Sequence, residues 1–278
     1  MKGLICAVAL MASPAMAYDT MTSQMCQKSL AAGVDAVVLD AGLRKSLHGL
    51  QVQLDPDGWC VINGGQDRLD LPVDQIAFRL DGAQAFVDGT GVPVGLALQV
   101  SNWQSYDISA AVRRLPESGA LMIERAEMRA ADESGIAATA VIQGAYFGTV
   151  ANLQSSLAGL RLAELQATMN VNPKLLETLG VDLSQVTQET VDNALRDVPR
   201  WQVSTDSRTA VIAFASAGDA AFGKLAVDLM SDRGVGFLQA IIPFTALSRQ
   251  PSDDDVATAV GLAMSGVSVG VSWSAGPF

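Results

Sequence analysis

Apolar and polar positions alternate with a period of two along much of the first half of the chain. Leu50, Val52 and Leu54 are separated by Gln51 and Gln53, the signature of a half-buried strand. Asp55-Pro56-Asp57-Gly58 then reads as a turn into a second strand, Trp59 to Ile62. Ile76, Phe78 and Leu80 alternate with Ala77 and Arg79, and Val94, Leu96, Leu98 and Val100 repeat the pattern. Leu121 to Ala131 and Ile136 to Tyr146 flank Asp132-Glu133-Ser134-Gly135, which predicts a hairpin. Before these strands, Met21 to Ala32 predicts a short helix ended by Gly33.

From about residue 160 strands and helices are expected to alternate. Leu162 to Val171 is a strand, followed by Asn172 as helix cap, Pro173 at the first helical position and Gly180 as terminator. Thr187 to Arg196 predicts a helix with Val191 and Leu195 inward. Ala210 to Ala217 and Lys224 to Met230 read as strands, then Asp232-Arg233-Gly234 as a turn into a helix from Val235 to Ile242. Ser252 to Asp255 caps a last helix reaching Gly266, and Val267 to Trp273 closes as an alternating strand. The units starting at Leu162 and at Leu225 share the order strand, polar cap, apolar pair and short helix, at a spacing of about 63 residues.

This is an α+β pattern: an antiparallel sheet with short amphipathic helices packed mainly on one face, the helices concentrated in the C-terminal half. The segment before it is of another kind. Lys2, the apolar run Leu4 to Ala12 and the small-residue site Ala15-Met16-Ala17 make residues 1–17 a cleaved secretory signal peptide. The apolar run falls short of the roughly 20 residues of a spanning helix. Residues 18–278 then form a single domain or two subdomains, 18–150 rich in strands and 151–278 alternating. No transmembrane segment is expected after cleavage, and the location is periplasmic or extracellular.

Cleavage removes Cys6 and leaves Cys26 and Cys60, which in an oxidising compartment predicts one disulfide between an N-terminal helix and an early strand. Loss of the one charge at Lys2 takes the net charge from −11 to −12. An acidic surface argues against nucleic acid and against docking on anionic membranes. Aromatic residues make up only 5% of the chain, which weighs against carbohydrate binding and against the aromatic girdles of an outer-membrane barrel.

Three motifs carry chemistry elsewhere and fail here. Gly266-Val267-Ser268-Val269-Gly270 has the nucleophile-elbow spacing, but no Asp, Glu or His follows it, and Ser268 falls on the polar face of a strand. His48, the single histidine, lies near Ser46 but is expected to be structural. Asp55, Asp57, Asp67, Asp70, Asp74, Asp81 and Asp88 punctuate turns without the loop pattern of a calcium site. Gly89 and Gly91 lack the third glycine and the helix of a dinucleotide loop. Glu124 and Glu127 are placed on opposite strand faces, so they make no obvious carboxylate pair.

No catalytic, cofactor-binding or metal-ligating residue is therefore assigned, and no cofactor is expected. The leading expectation is a non-enzymatic secreted or periplasmic envelope protein that binds an apolar or lipid-like ligand in a sheet–helix cavity lined by Ala, Val, Leu and Met. The alternatives are an envelope component that binds a protein partner without a small ligand, and a hydrolase of unrecognised type.

Overall fold

A computed structural model describes residues 19–37, 40–64, 73–146, 159–183, 186–236, 239 and 252–278. Its centre is one ten-stranded antiparallel sheet in which every strand pairs with its neighbour in sequence. The strands are β1 (Gln53–Leu54), β2 (Cys60–Asn63), β3 (Gln75–Asp81), β4 (Gly95–Trp103), β5 (Tyr106–Leu115), β6 (Ala120–Ala130), β7 (Gly135–Gln143), β8 (Arg161–Val171), β9 (Gly223–Gly236) and β10 (Ser268–Ala275). At about 4.8 Å per strand spacing, the meander is roughly 40 Å wide.

Register converts the period-two pattern into two chemically different faces. Residues directly opposite one another in an antiparallel ladder share a face. One row runs Leu54, Cys60, Phe78, Leu98, Ala110, Ala126, Ala138, Ala167, Val227 and Val271, crossing all ten strands without a polar residue. A parallel row, Ile62, Ile76, Val100, Ile108, Met128, Ile136, Met169, Leu225 and Trp273, lies on the same face. The opposite face carries Gln99, Ser109, Glu127, Thr168 and Ser272. The apolar face therefore has to be covered.

Helices cover it at both ends. At the first end stand α1 (Ser23–Val37), α2 (Ala41–His48) and α3 (Ala83–Val87). Met21 and Cys26 from this end, with Ala83 and Phe86 of α3, pack with Cys60, Ile62, Phe78 and Leu80 of the sheet into one buried cluster. At the other end stand α4 (Pro173–Thr178), α5 (Gln188–Ala194), α6 (Thr205–Ser216) and α7 (Asp253–Ala263). Leu176, Leu183 and Phe214 pack there against Leu225, Val227, Val271 and Trp273. Phe214 meets Trp273 edge to face at 5.0 Å between ring centroids. Between the two clusters, Ile108, Ala110, Met128, Ala138 and Met169 are half-buried.

Several sequence expectations need correction. The segment Ala210 to Ala217 is helix, part of α6, and not strand. A short apolar run does not distinguish the two states. What decides is Ser204, whose side chain accepts from the Ser207 N–H and caps the helix start upstream of the run. The helix expected to end at Gly33 continues to Val37, because Val34 is buried and anchors the next turn. An interior glycine costs a helix only about 1 kcal/mol. The first strand is shorter than the alternation suggests, although Leu50 and Val52 ahead of it are buried.

The turn at Asp232-Arg233-Gly234 is absent, since β9 runs on to Gly236 and pairs Val235 with Leu162. A register shift between Leu162 and Glu164 accommodates the passage, with Gly234 at φ +68° and so close to Arg161 that a Cβ would sit 2.6 Å from that residue's Cβ. Of the helix expected over 235–242, Val235 and Gly236 belong to β9, Gln239 is helical, and 237–238 and 240–242 lie outside the described residues, and with them the Phe237-Leu238 pair of the proposed repeat. The same holds for the signal segment 1–17, Cys6, Asp67 and Asp70. Among the described residues, no helix is long and apolar enough to cross a membrane.

Candidate functional site: an apolar cavity under the first helices

The Cys26–Cys60 disulfide joins α1 to β2 across a sequence separation of 34, with both cysteines fully buried. In the chain-entropy picture a loop of this size contributes about 3–4 kcal/mol. Gln27, next to the bridge, donates through Nε2 to the Leu50 carbonyl at 3.0 Å and accepts from the Val52 N–H at 3.2 Å. These links fix α1 to the sheet at one point and leave its later turns standing over the apolar face.

There the covering is incomplete. A cavity of ≈ 480 Å³ lies between α1, the end of α2 and the apolar face of the sheet. Its roof is a stripe of α1 at helical spacing, Ser29, Leu30, Gly33 and Val34, with Leu47 of α2 beside it. Its floor is the apolar face of β2 to β6, from Ile62 and Phe78 through Leu98 to Val112 and Leu121. Phe86 and the segment Val92-Pro93-Val94 close the side. Space exists at this position because Gly33 contributes no side chain: a Cβ built there meets nothing within 4 Å. The volume falls within the roughly 300–1,000 Å³ typical of small-molecule sites.

Two polar side chains interrupt this lining. Arg114 sits on the apolar face of β5, in register with Leu121, and among the described residues is the one charged residue of the lining. It donates through Nη2 to the Val92 carbonyl at 3.1 Å and, over a longer 3.5 Å, through Nε to that of Pro93. Burial pulls its pKa below the ordinary arginine value, yet a guanidinium stays protonated in proteins. The second is Ser29, 3% exposed, whose Oγ has no hydrogen-bond partner among the described residues. Leu96, also part of the lining, is 37% exposed and marks where the apolar surface reaches solvent.

The residues singled out from sequence fall elsewhere. His48 closes α2, not a strand, and its Nε2 pairs with Asp35 Oδ1 at 2.9 Å, while Ser46 Oγ donates to the Gly42 carbonyl. Ser268 opens β10 at the far end of the sheet order, on the face opposite Val269. Gly89 and Gly91 use their N–H groups to close α3, on the Phe86 and Ala85 carbonyls. Asp55, Asp74 and Asp88 accept hydrogen bonds from Trp59, Asn102 and Gln84. Among the described residues no three His, Cys, Asp or Glu side chains gather as a metal site.

Glu124 and Glu127 need a correction. A register irregularity between Ile123 and Ala126 resets the alternation, so both reach the polar face. There Glu124 lies 2.8 Å from Arg113, and Glu127 sits between Arg125 and Arg129. Each carboxylate is matched by arginine rather than held as half of an acid–base pair.

Comparison with protein-family models, curated proteins and solved structures gives no match. The site's reading rests on its own geometry.

Proposed function

We propose that this chain is a non-enzymatic exported protein of the cell envelope that binds an apolar, lipid-like molecule in the cavity beneath α1. The observation that carries the reading is the cavity: ≈ 480 Å³ of space walled almost wholly by aliphatic and aromatic side chains. Empty space of this size lowers stability, since interiors otherwise pack to crystal-like density. A bound apolar molecule would recover those contacts. The Cys26–Cys60 disulfide and the signal-like segment 1–17 support export. The short helices act here as a partial cover on one face of the sheet. Of the Ala, Val, Leu and Met lining expected from the sequence, Val and Leu line this cavity, with Ile and Phe in place of Ala and Met, at the first end of the sheet.

Titration with the neutral fluorophore N-phenyl-1-naphthylamine tests the reading. Saturable enhancement at one probe per chain, reversed by a long-chain alcohol, is the expected result. Absence of saturable binding would turn attention to the second reading, a protein-interaction component, which the half-buried apolar row Ile108, Ala110, Met128 and Ala138 favours.

A further inference from the structure

Lipid-like molecules differ in girth as well as in chemistry: a single acyl chain is one methylene wide, a two-chain lipid is twice that, and a sterol is a broad plate. The cavity beneath α1 is long and narrow. Its floor runs from Ile62 on β2 to Leu121 on β6, four strand spacings of ~4.8 Å and so about 19 Å. Spread over that length, ≈ 480 Å³ leaves a mean cross-section of about 25 Å². Its roof on α1 is one helical stripe, from Ser29 to Val34, with open space beside Gly33. A hydrocarbon chain has these dimensions. A methylene fills about as much of a liquid as a water does, ~30 Å³, and a zigzag of ~1.5 Å carbon–carbon bonds advances about 1.25 Å per carbon. Volume and length each set the occupant at about 16 carbons. A sterol of about 27 carbons needs on the order of 800 Å³, and two such chains need still more.

Resting on the proposed ligand-binding role, we infer that the ligand is a single-chain lipid of about 16 carbons, lying extended beneath α1 from Ile62 to Leu121. Chain length is what this lining selects. Apart from Ser29 and Arg114, the described lining residues are aliphatic, aromatic, glycine or proline, so each carbon of the ligand is rewarded by withdrawal from water until the channel is full. A carbon beyond that point stays in solvent and adds nothing. Gly33 lies on this path, and a side chain placed there takes carbons away from the ligand.

The test displaces N-phenyl-1-naphthylamine from the purified protein with straight-chain carboxylates from octanoate to eicosanoate, each below its aggregation concentration. The head is then constant and only the chain varies. Affinity is expected to climb by up to about fourfold per added methylene and to stop climbing between myristate and stearate. Cholesterol sulfate, whose ring system exceeds the channel, is expected to displace the probe about tenfold or more worse than palmitate. Gly33→Leu puts about four carbons into the channel, so its break is expected to move down by about four carbons, to near laurate. A wild-type break at laurate or shorter, a climb that continues to eicosanoate, or cholesterol sulfate within about tenfold of palmitate would overturn the inference and leave an apolar site of another shape. So would a break that Gly33→Leu leaves in place. If that variant fails to fold, the wild-type series decides. Failure of the probe itself to bind would instead overturn the ligand-binding reading.

Discussion

Replacing Gly33 by leucine should make the protein more stable and a poorer binder at once. Gly33 lies inside α1 between cavity-lining residues one turn back, Ser29 and Leu30, and a side chain there starts in open space. Glycine to leucine in a helix interior gains roughly 0.6–1 kcal/mol of propensity. Four added carbons, if half of their surface is withdrawn from water, contribute about another 1.5 kcal/mol at ~0.8 kcal/mol per buried methylene. A net gain near 2 kcal/mol corresponds to a rise of about 4–8 °C in Tm for a chain of this size. The same carbons occupy space that a ligand tail would fill, so the affinity for N-phenyl-1-naphthylamine should fall about tenfold or more. Thermal denaturation and probe titration on one preparation read both effects. A lower Tm would show that the position is already filled. A raised Tm with unchanged probe affinity would show that the space serves packing and not ligand, and would refute the reasoning.

Other consequences are as specific. Cys26→Ser/Cys60→Ser should lose about 3–4 kcal/mol and weaken probe binding, since the bridge anchors the cavity's roof; denaturant unfolding of both forms measures it. Asn172 is buried and caps α4 by accepting from the Leu175 N–H at 2.7 Å, so Asn172→Ala should cost about 1–2 kcal/mol without touching probe affinity. Asp132 holds that cap from the β6–β7 turn, accepting from Asn172 Nδ2 at 2.9 Å. Hydrogen bonds from the Ser134 side chain and N–H hold its carboxyl below the usual aspartate pKa. Its contribution is therefore complete above the unfolded value near 3.9 and is lost as pH falls through the lower folded value. Acid titration of stability should show a slope below about pH 4 that Asp132→Asn removes.

The sheet was legible because its strands obey one rule. Ile76, Phe78 and Leu80, or Val267 to Trp273, alternate cleanly, and the ladder places their apolar members in a single continuous face. Caps at Asn172 and Ser252 were equally plain, since each satisfies N–H groups within its own first turn, whereas Thr187, read as the first helical residue, is the cap of α5. β5 was the strand not foreseen: Tyr106, Ile108, Ala110 and Val112 alternate with Asp107 and Ser109, but alanines at 110 and 111 weaken the contrast and Arg114 breaks it. That break is part of the site. Arg114 departs from the apolar rule of its face and donates to the Val92 and Pro93 carbonyls at the cavity's side, and nothing local in the sequence shows what lies across from it. The cavity itself, with open space beside Gly33, becomes visible only once α1 stands over β2 to β6. The Glu124 assignment failed for a related reason, as a register irregularity set by neighbouring strands leaves no mark in the alternation.

The most direct test of the account is native mass spectrometry of the protein purified from the cells that make it, with organic extraction of whatever it carries. The account predicts a discrete added mass that extracts as a lipid and is reduced in Gly33→Leu. A bare chain at its disulfide-oxidised mass, which also fails to take up N-phenyl-1-naphthylamine, would contradict it.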